Sequence, residues 1–339
     1  MPPEPGGSIS NDRYRRPPVT GTGAFQTRFD LVKRNIEQVI HGKSDVISMA
    51  LVCLFAEGHL LIEDVPGLAK TSLAKAIAKS VGGDFKRVQF TPDLLPSDLI
   101  GGQILNRNTE AFSFHRGPVF CNVLLGDEIN RASPKTQSAL LQVMAERVVT
   151  VGLKDHPVGR PFICLATQNP LDHHGTYPLS EGLLDRFMMR LPMGYPDEQA
   201  EQTMLIQTLT DQTPDGLKPV LAIAEVKEML TAARTVEVNG ELRNYLVRII
   251  HATRQLQRTR PEAVRLGISP RGTSALGLAA RVHAASHGQR YVTPDDVQAV
   301  AVYTLGHRLL LTPEAEAAGT RTEELLAEIL ANVAVSGML

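Results

Sequence analysis

Apolar positions follow one another differently in the two parts of the chain. From about Phe25 to Tyr195, short continuous apolar runs alternate with stretches in which apolar residues recur at helical spacing. Such runs indicate buried strands, and their alternation with helices indicates a parallel sheet. After Pro196, helical patterns follow one another without strand-like runs. We therefore predict an α/β domain with a parallel sheet over residues 25–196 and an all-helical domain over residues 197–339.

The helical domain contains one clear start signal, and the N-terminus has a different character. Thr293-Pro294-Asp295-Asp296 has the form of a capping box with proline in the first turn. Residues 1–24 are rich in Pro, Gly, Ser and Thr and lack periodic apolar positions, so we predict a disordered tail. In the helical domain, helices are predicted over residues 197–210, 223–234, 240–258, 270–287, 294–308 and 322–334.

The composition argues against several classes of protein. Of 339 residues, 21% are charged and 43% are hydrophobic, and the formal net charge is −1, so no basic excess favours nucleic acid. No run approaches ~18 apolar residues, so no membrane insertion is expected. The N-terminal arginines are not followed by an apolar stretch, so no secretory signal is predicted. The three cysteines lie within apolar runs, which favours buried thiols in a reducing, cytoplasmic location.

The segment Asp64-Val65-Pro66-Gly67-Leu68-Ala69-Lys70-Thr71 has the length and the Lys-Thr ending of a phosphate-binding loop. It follows the apolar run 59–62 and precedes a helical pattern over 70–78. In such a loop, backbone N–H groups bind phosphate, the lysine reaches the β- and γ-phosphate oxygens, and the hydroxyl binds Mg²⁺. Asp64 and Ala69 stand where the general motif has glycine. Taken alone, the segment fits an ordinary strand-to-helix turn equally well.

A pair of carboxylates follows the second apolar run, which covers residues 119–125. An acid at the carboxyl end of a strand in an open α/β sheet points into the ligand crevice. Asp127 would hold Mg²⁺ near Thr71, and Glu128 would orient and deprotonate the attacking water. The structural alternative is a helix-capping acid, since Ser133-Pro134 starts a helix soon after. The upstream Lys-Thr loop favours the nucleotide site.

Two more polar residues are candidates for the same site. Asn169 follows the apolar strand 162–166, where its amide could contact both the water and a γ-phosphate oxygen, although Asn-Pro is also a common turn. Arg186 lies between apolar residues near a helix end. It could pair with Asp185, or it could stabilise transition-state charge in a neighbouring subunit.

Together these segments closely resemble the MoxR family of AAA+ ATPases, in the right order from about residue 30 to 310. The resemblance rests on residues 63–71, 127–132, 134–141, 166–170, 175–179 and 184–187. The substitutions at Asp64 and Ala69 are ones that this family tolerates. One departure is Asp172-His173-His174, where acidic and amide residues are expected. Adjacent histidines point in different directions in a strand or loop, so we do not predict a metal site there.

The resemblance implies an AAA+ P-loop core, a helical lid, and ATP with Mg²⁺ as cofactors. Catalytic roles are implied for Glu128, Asn169 as the γ-phosphate sensor, Arg186 as an arginine finger acting in trans, and Arg271, which would touch phosphate from the lid. Thr71 and Asp127 would bind the metal. The implied nucleotide-binding residues are Val39, Ile40, Asp64, Val65, Pro66, Gly67, Leu68, Ala69, Lys70, Thr71, Ser72, Asp127, Asn169 and Arg271. His41 also lies in the segment that resembles the adenine pocket, but its role could be structural.

The resemblance also implies an assembly and partners. It implies a homo-oligomer in the form of a hexameric ring, a protein client or partner with a von Willebrand factor type A domain, and two inserted segments. The first, residues 96–114, would be a half-buried hairpin around Phe112 and Phe114, or a loop that faces the pore or a client. The second, residues 147–162, would be a mildly basic hairpin.

Two other functions share these residues. A nucleic-acid motor of a related clade would have basic hairpins and DNA stimulation that is sensitive to salt. The weak net charge counts against it. A nucleotide-gated scaffold with little turnover is the second, and the presence of Asp127, Glu128 and Arg186 counts against that one.

Overall fold

The computed structural model describes residues 21–63, 69–106, 111–152, 154–168, 176–210 and 216–334. Within these ranges no helix is long and apolar enough to cross a membrane. The first helix begins at Thr22, inside the segment predicted to be a disordered tail, and the Thr22 hydroxyl donates to the carbonyl oxygen of Gly288 (2.7 Å). The prediction is therefore wrong for residues 22–24, while residues 1–20 lie outside the described part.

Five parallel strands form the central sheet, in the order β2-β5-β8-β1-β9. The strands are β1 (Leu60–Glu63), β2 (Phe85–Gln89), β5 (Val123–Asp127), β8 (Ile163–Gln168) and β9 (Met189–Leu191), and the hairpin strands between them are β3 (Gly101–Asn106), β4 (Ala111–Arg116), β6 (Val148–Val151) and β7 (Lys154–Pro157). The helices of this domain are α1 (Thr22–Glu37), α2 (Ser44–Phe55), α3 (Lys70–Ser80), α4 (Pro96–Ile100), α5 (Pro134–Glu146) and α6 (Glu181–Leu184). The predicted α/β domain with a parallel sheet is confirmed.

The lid is helical, as the spacing predicts. Its helices are α7 (Glu198–Leu209), α8 (Ile223–Ala233), α9 (Gly240–Thr259), α10 (Pro270–Ser286), α11 (Pro294–Leu305), α12 (Pro313–Ala317) and α13 (Thr322–Asn332). The predicted capping box is present, because the Thr293 hydroxyl accepts from the N–H of Asp296 and the Asp296 carboxylate accepts from that of Thr293. The sequence did not predict the short antiparallel ribbon of β10 (Val264–Leu266) and β11 (Leu310–Leu311).

One hydrophobic core joins the two domains. Side chains from α1, α2, α3 and one face of the sheet are continuous with those of the lid helices α8 to α11. A second core, on the other face, contains α5 and the residues beneath both hairpins. Because fully buried aromatic side chains such as Phe25 and Phe55 lie between sheet and lid, α1 and α2 form the layer on which the lid rests.

Both inserted segments form antiparallel hairpins, β3–β4 and β6–β7. Phe114 packs against Phe120 (centroids 5.6 Å apart) and stacks on His156 of β7 (4.0 Å), so it joins the two hairpins. Phe112, predicted to share this half-buried face, is 68% exposed. The hairpin prediction is therefore right, but of the two phenylalanines only Phe114 is half-buried.

Glu57 is an electrostatic link between the sheet domain, the β6–β7 hairpin and the lid. Its side chain is 10% exposed and forms ion pairs with Arg147 (2.8 Å), Arg160 (2.6 Å) and Arg234 (2.5 Å). Burial opposes ionisation, but the hydrogen bonds from Arg160 and the charge of Arg147 outweigh it and lower the pKa of Glu57 from its ordinary value of 4.5 to about 2.

We expect Glu57→Gln to lower the free energy of unfolding by about 1–3 kcal/mol at neutral pH, because three arginines lose their shared counter-ion. A depressed pKa contributes stability above pH 4.5 that is lost as the pH falls towards about 2. Urea unfolding of both proteins at pH 7 and pH 3 should therefore show a difference that shrinks at the lower pH. A difference that stays constant with pH would contradict this account of Glu57.

Candidate functional site

The order of the strands brings the end of β1 and the carboxylate pair to one edge of the sheet. β8 lies between β1 and β5, and its Ala166 is in register with Leu61 on one side and Gly126 on the other. The carboxyl ends of these three strands are therefore level. The last residues of these strands, Glu63, Asp127 and Gln168, therefore lie at the ligand edge of an open α/β sheet.

The phosphate-loop segment has the predicted strand-loop-helix context. β1 ends at Glu63 and α3 starts at Lys70, with Leu73, Ala74 and Ile77 buried on its inner face. Lys70, Thr71 and Ser72 form the first turn of α3, where N–H groups have no partner within the helix and favour an anion. The predicted site residues Asp64, Val65, Pro66, Gly67 and Leu68 lie outside the described residues.

Ala69 adopts a left-handed conformation (φ 54°, ψ 22°) directly before the helix. This is the position where the general phosphate-loop motif has glycine, and glycine adopts such a conformation without the cost that a Cβ imposes. Ala69 therefore keeps the backbone geometry of the general motif although it lacks the glycine.

We expect Ala69→Gly to leave ATP binding within about twofold of the unaltered protein, because glycine relieves the left-handed strain. Gly67→Val should weaken ATP binding by at least about tenfold, because Gly67 is the glycine that remains where backbone must approach phosphate. Calorimetric titration with ATP measures both. Normal binding by Gly67→Val would refute this account of the loop.

The Asp127 carboxylate is fixed by two neighbouring strands. Its Oδ1 accepts from the hydroxyl of Thr167 on β8 (2.6 Å), and its Oδ2 accepts from the Arg87 guanidinium on β2 (2.6 Å). The Asp127 side chain is 18% exposed at the strand end. Carboxylate and hydroxyl oxygens are the ligands that Mg²⁺ prefers, so Asp127 and Thr71 fit this ion. The Arg87 side chain is half exposed, so its ion pair is weak competition.

Glu128 adopts a left-handed backbone conformation (φ 57°, ψ 51°) directly after β5. Its N–H donates to the Thr167 hydroxyl oxygen (2.9 Å), and its carboxylate Oε2 accepts from Gln89 Nε2 (2.9 Å) and from Arg131 (3.0 Å). A non-glycine residue held in this conformation is strained, and such strain is concentrated at functional sites. The two donors hold the Glu128 carboxylate between the end of β2 and the turn that follows β5.

The capping alternative for this acid pair does not hold in the structure. Helix α5 is capped by Ser133, whose hydroxyl accepts from the N–H of Thr136. Glu128 precedes only a single 3-10 turn, Ile129–Arg131, and makes no side-chain cap there. Its carboxylate is therefore available for the crevice.

Sequence reasoning missed the residues that hold the acids. Thr167 is buried and contacts both of them, and it directly precedes Gln168 at the end of β8. Its position beside the candidate Asn169 was the only signal in the sequence. Gln89 and Arg87 reach the acids across strands, and only the strand order reveals that contact. Asn169, His173 and His174 lie outside the described residues.

Arg186 lies at the opposite end of the strands, where they begin, and this side of the sheet is called the amino edge below. It comes just before β9, whose first residue Met189 is paired with Leu60, the first residue of β1. The phosphate loop begins only after the last residue of β1, Glu63. Arg186 is thus at the amino end of the strands, while Lys70 and Asp127 are at the carboxyl end.

Arg271 does not join the carboxyl edge of its own chain either. It lies in the first turn of α10 and forms an ion pair with Asp185 (3.1 Å), the residue before Arg186. Asp185 also accepts from the buried Arg308 (3.0 Å) and from the Ser269 hydroxyl (3.0 Å). Asp185 is therefore paired with the lid, not with Arg186, whose pairing with Asp185 was one of its two possible roles, and the contact of Arg271 with phosphate stays a prediction.

The candidate adenine pocket is a cavity of about 280 Å³ beside Ala69. It brings together the α1–α2 connection and the segment between β9 and α7, here called the hinge, and Lys43 joins them by donating to the Tyr195 carbonyl oxygen (2.7 Å). The Nε2 atom of His41 is buried here without a partner among the described residues. An apolar cleft with one unsatisfied polar atom fits a purine base. The lining residues are Val39, Ile40, His41, Lys43, Ala69, Met193, Gly194, Tyr195, Pro196, Glu201 and Met204.

Comparison with known proteins agrees with this architecture. Residues 59–189 match the model of the ATPase family associated with various cellular activities (AAA), and residues 257–329 match the AAA lid domain. The crystal structure of a candidate ATPase from Cytophaga hutchinsonii superposes with a TM-score of 0.86 at 36% identity, over 92% of this chain and 96% of that one.

Relatives along the full length are also similar. The chain is 44% identical to the protein YeaC of Bacillus subtilis, over 89% of this chain and 92% of that protein. It is 38% identical to the chaperone MoxR1 of Mycobacterium tuberculosis, over 98% of this chain and 89% of that protein. It is 30% identical to the protein MoxR of Methylorubrum extorquens, over 83% and 87%. The chain belongs to the MoxR family of AAA+ ATPases.

Proposed function

We propose that this protein binds Mg²⁺–ATP at interfaces between subunits of a homo-oligomeric ring and uses hydrolysis to remodel protein clients. The observation that carries the proposal is the division of the candidate catalytic residues between two edges of the sheet. Asp127 and Glu128 are at the carboxyl edge with the phosphate loop, and Arg186 is at the amino edge with Arg271. One chain therefore supplies the carboxylates of one ATP site and the arginines of the site in the next subunit.

At the carboxyl edge, each residue has a separate task. The first turn of α3 and the Lys70 ammonium bind the phosphates, and Thr71 with Asp127 would hold Mg²⁺, which neutralises phosphate charge when bound. Glu128 orients the attacking water and accepts its proton. Thr167 fixes the two acids relative to each other, because its hydroxyl donates to the Asp127 carboxylate and accepts from the Glu128 N–H. Asn169 is assigned to sensing the γ-phosphate by resemblance to the family.

At the amino edge, Arg186 serves the site of the next subunit. None of the described residues makes an ion pair with the Arg186 guanidinium. A guanidinium presents planar N–H donors, and this is the geometry that recognises phosphate oxygens. Arg271 donates to Asp185, the residue directly before Arg186, so we assign Arg271 to the same site of the neighbouring subunit. A ring closes this head-to-tail arrangement, and six subunits is the number that resemblance to the family implies.

The adenine pocket couples nucleotide to the lid. Tyr195, Pro196, Glu201 and Met204 belong to the hinge and α7, while Val39 and Ile40 precede α2. A base bound between them contacts both domains, so loss of nucleotide changes the contacts that fix the lid angle.

A protein client fits this chain better than nucleic acid does. Arg147 and Arg160, which flank the β6–β7 hairpin, both donate to Glu57, so their guanidinium groups are engaged within the chain and not extended as a basic hairpin for a phosphate backbone. One relative is named a chaperone. We propose a cytoplasmic client or partner that carries a von Willebrand factor type A domain.

Capture on a nucleotide trap tests the client proposal. Tagged Glu128→Gln protein in ATP should retain clients that the same protein in ADP releases, because the bound state persists when hydrolysis is blocked. The matched control is Glu128→Gln with Lys70→Ala, which should not bind ATP. Enrichment of type A domain proteins only in the ATP sample is the expected result. ATP-dependent enrichment without any such protein would remove the partner assignment.

A further inference from the structure

Three potential metal ligands meet at the far end of α10 from Arg271. His283 and His287 lie in and just after the last turn of α10, and Asp296 lies in the first turn of α11. One imidazole nitrogen from each histidine and one carboxylate oxygen lie within 4.8 Å of one another. The two histidines are four residues apart, so their rings share a helix face, with centroids separated by 4.4 Å.

The carboxylate in this cluster is fixed in position. Asp296 is 2% exposed, and its Oδ2 accepts from the N–H (2.8 Å) and the hydroxyl (2.7 Å) of Thr293. Its Oδ1 lies 2.8 Å from His283 Nδ1. The capping box of α11 therefore holds one ligand oxygen against the first histidine. Imidazole nitrogen and carboxylate oxygen are both ligand types that bind zinc.

The second histidine is the adjustable member. His287 is exposed, and its Nδ1 lies 2.9 Å from the carbonyl oxygen of His283. Both histidines are at the C-terminal end of α10, where the helix dipole favours positive charge. A simple ion pair would need only His283 and Asp296, and the ring of His287, held locally by the His283 carbonyl and the Ser286 hydroxyl (3.3 Å), brings a third potential ligand to the pair.

We propose that His283, His287 and Asp296 form a binding site for a divalent transition-metal ion of the zinc class. Two imidazoles and a carboxylate suit zinc, and water completes a tetrahedral set. Ligand atoms about 2.1 Å from zinc are roughly 3.4 Å apart, so the most widely separated atoms, up to 4.8 Å apart, must approach by up to roughly 1.4 Å. Rotation of the exposed His287 ring supplies that movement.

Such an ion would connect α10 to α11 within the lid. The first turn of α10 carries Arg271, which pairs with Asp185 beside Arg186. Metal binding would therefore stiffen α10, whose first turn lies at the proposed subunit interface. The site does not overlap the nucleotide site, and the inference does not depend on ATP hydrolysis.

Zinc titration of the full-length, chelator-treated protein without nucleotide tests this proposal. Calorimetry should show one zinc ion per chain, with affinity reduced at least ~10-fold in both His283→Ala and His287→Ala. His251→Ala, another exposed histidine on a lid helix, is the matched control and should bind zinc normally. His173→Ala/His174→Ala should also bind normally.

Hydrogen exchange gives a second readout that does not rely on the variants. Zinc should slow amide exchange at the end of α10 and the start of α11, because the ion joins the two helices. The proposal is overturned if the unaltered protein binds no zinc, if His287→Ala binds it as well as the unaltered protein, or if only the His173→Ala/His174→Ala change removes it.

Discussion

Replacing Glu128 by glutamine is expected to slow ATP hydrolysis by about 10²–10⁴-fold, because a positioned general base contributes that much. The amide cannot accept the proton of the attacking water. Its carbonyl oxygen can still accept from Gln89 and Arg131, so the strained turn after β5 should keep its conformation. ATP binding should stay within a few-fold, because Lys70 and the first turn of α3 are untouched.

Single-turnover hydrolysis and calorimetric ATP binding separate the two effects. Glu146→Gln is a suitable control, because Glu146 is an exposed acid at the other end of α5. Turnover that is close to background in the unaltered protein and unchanged in Glu128→Gln would favour a nucleotide-gated scaffold. Loss of ATP binding in Glu128→Gln would mean that the acid supports the fold of the site.

Arg186→Ala is expected to reduce hydrolysis by about 10³–10⁵-fold, the contribution of an arginine that stabilises transition-state charge. ATP binding by the single chain should persist, because Arg186 is at the amino edge of the sheet, away from the phosphate loop. Arg186→Lys should retain the charge but lose the planar donor pair, so most of the activity should still be lost.

Hydrolysis and ATP binding are measured on the same preparations, with Arg258→Ala, an exposed arginine of α9, as the control. The fold of the region should survive, because Asp185 keeps its pairs with Arg271 and Arg308. If Arg186→Ala loses ATP binding and hydrolysis together, its role is structural within its own chain.

The sequence predicts local elements of this protein well and cross-strand contacts poorly. The position of Asp127 at a strand end follows from one apolar run, and the six main lid helices follow from their periodicity. The contacts of Thr167, Gln89 and Arg87 with the acids depend on which strands are neighbours, and that order is not written in any one segment. Two-residue strands such as β11 are too short to leave a pattern.

Other contacts that depend on tertiary packing are missed for the same reason. Arg271 pairs with Asp185 because of how the lid packs on α1 and α2. The left-handed backbone of Ala69 and Glu128 is likewise set by tertiary contacts, since neither residue prefers it. Phe112 and Phe114 are two residues apart and therefore share one face of β4, yet only Phe114 contacts a neighbouring element.

If each ATP site is completed by the next subunit, two inactive variants should restore activity when they are mixed in one ring. A subunit with Glu128→Gln keeps its Arg186, and a subunit with Arg186→Ala keeps its Glu128. In an equimolar mixed ring, about one quarter of the interfaces should combine an intact Glu128 with an intact neighbouring Arg186 and recover activity. We expect hydrolysis near one quarter of the unaltered rate after co-assembly. Activity no higher than the average of the two separate variants would mean that the neighbouring Arg186 does not complete the site.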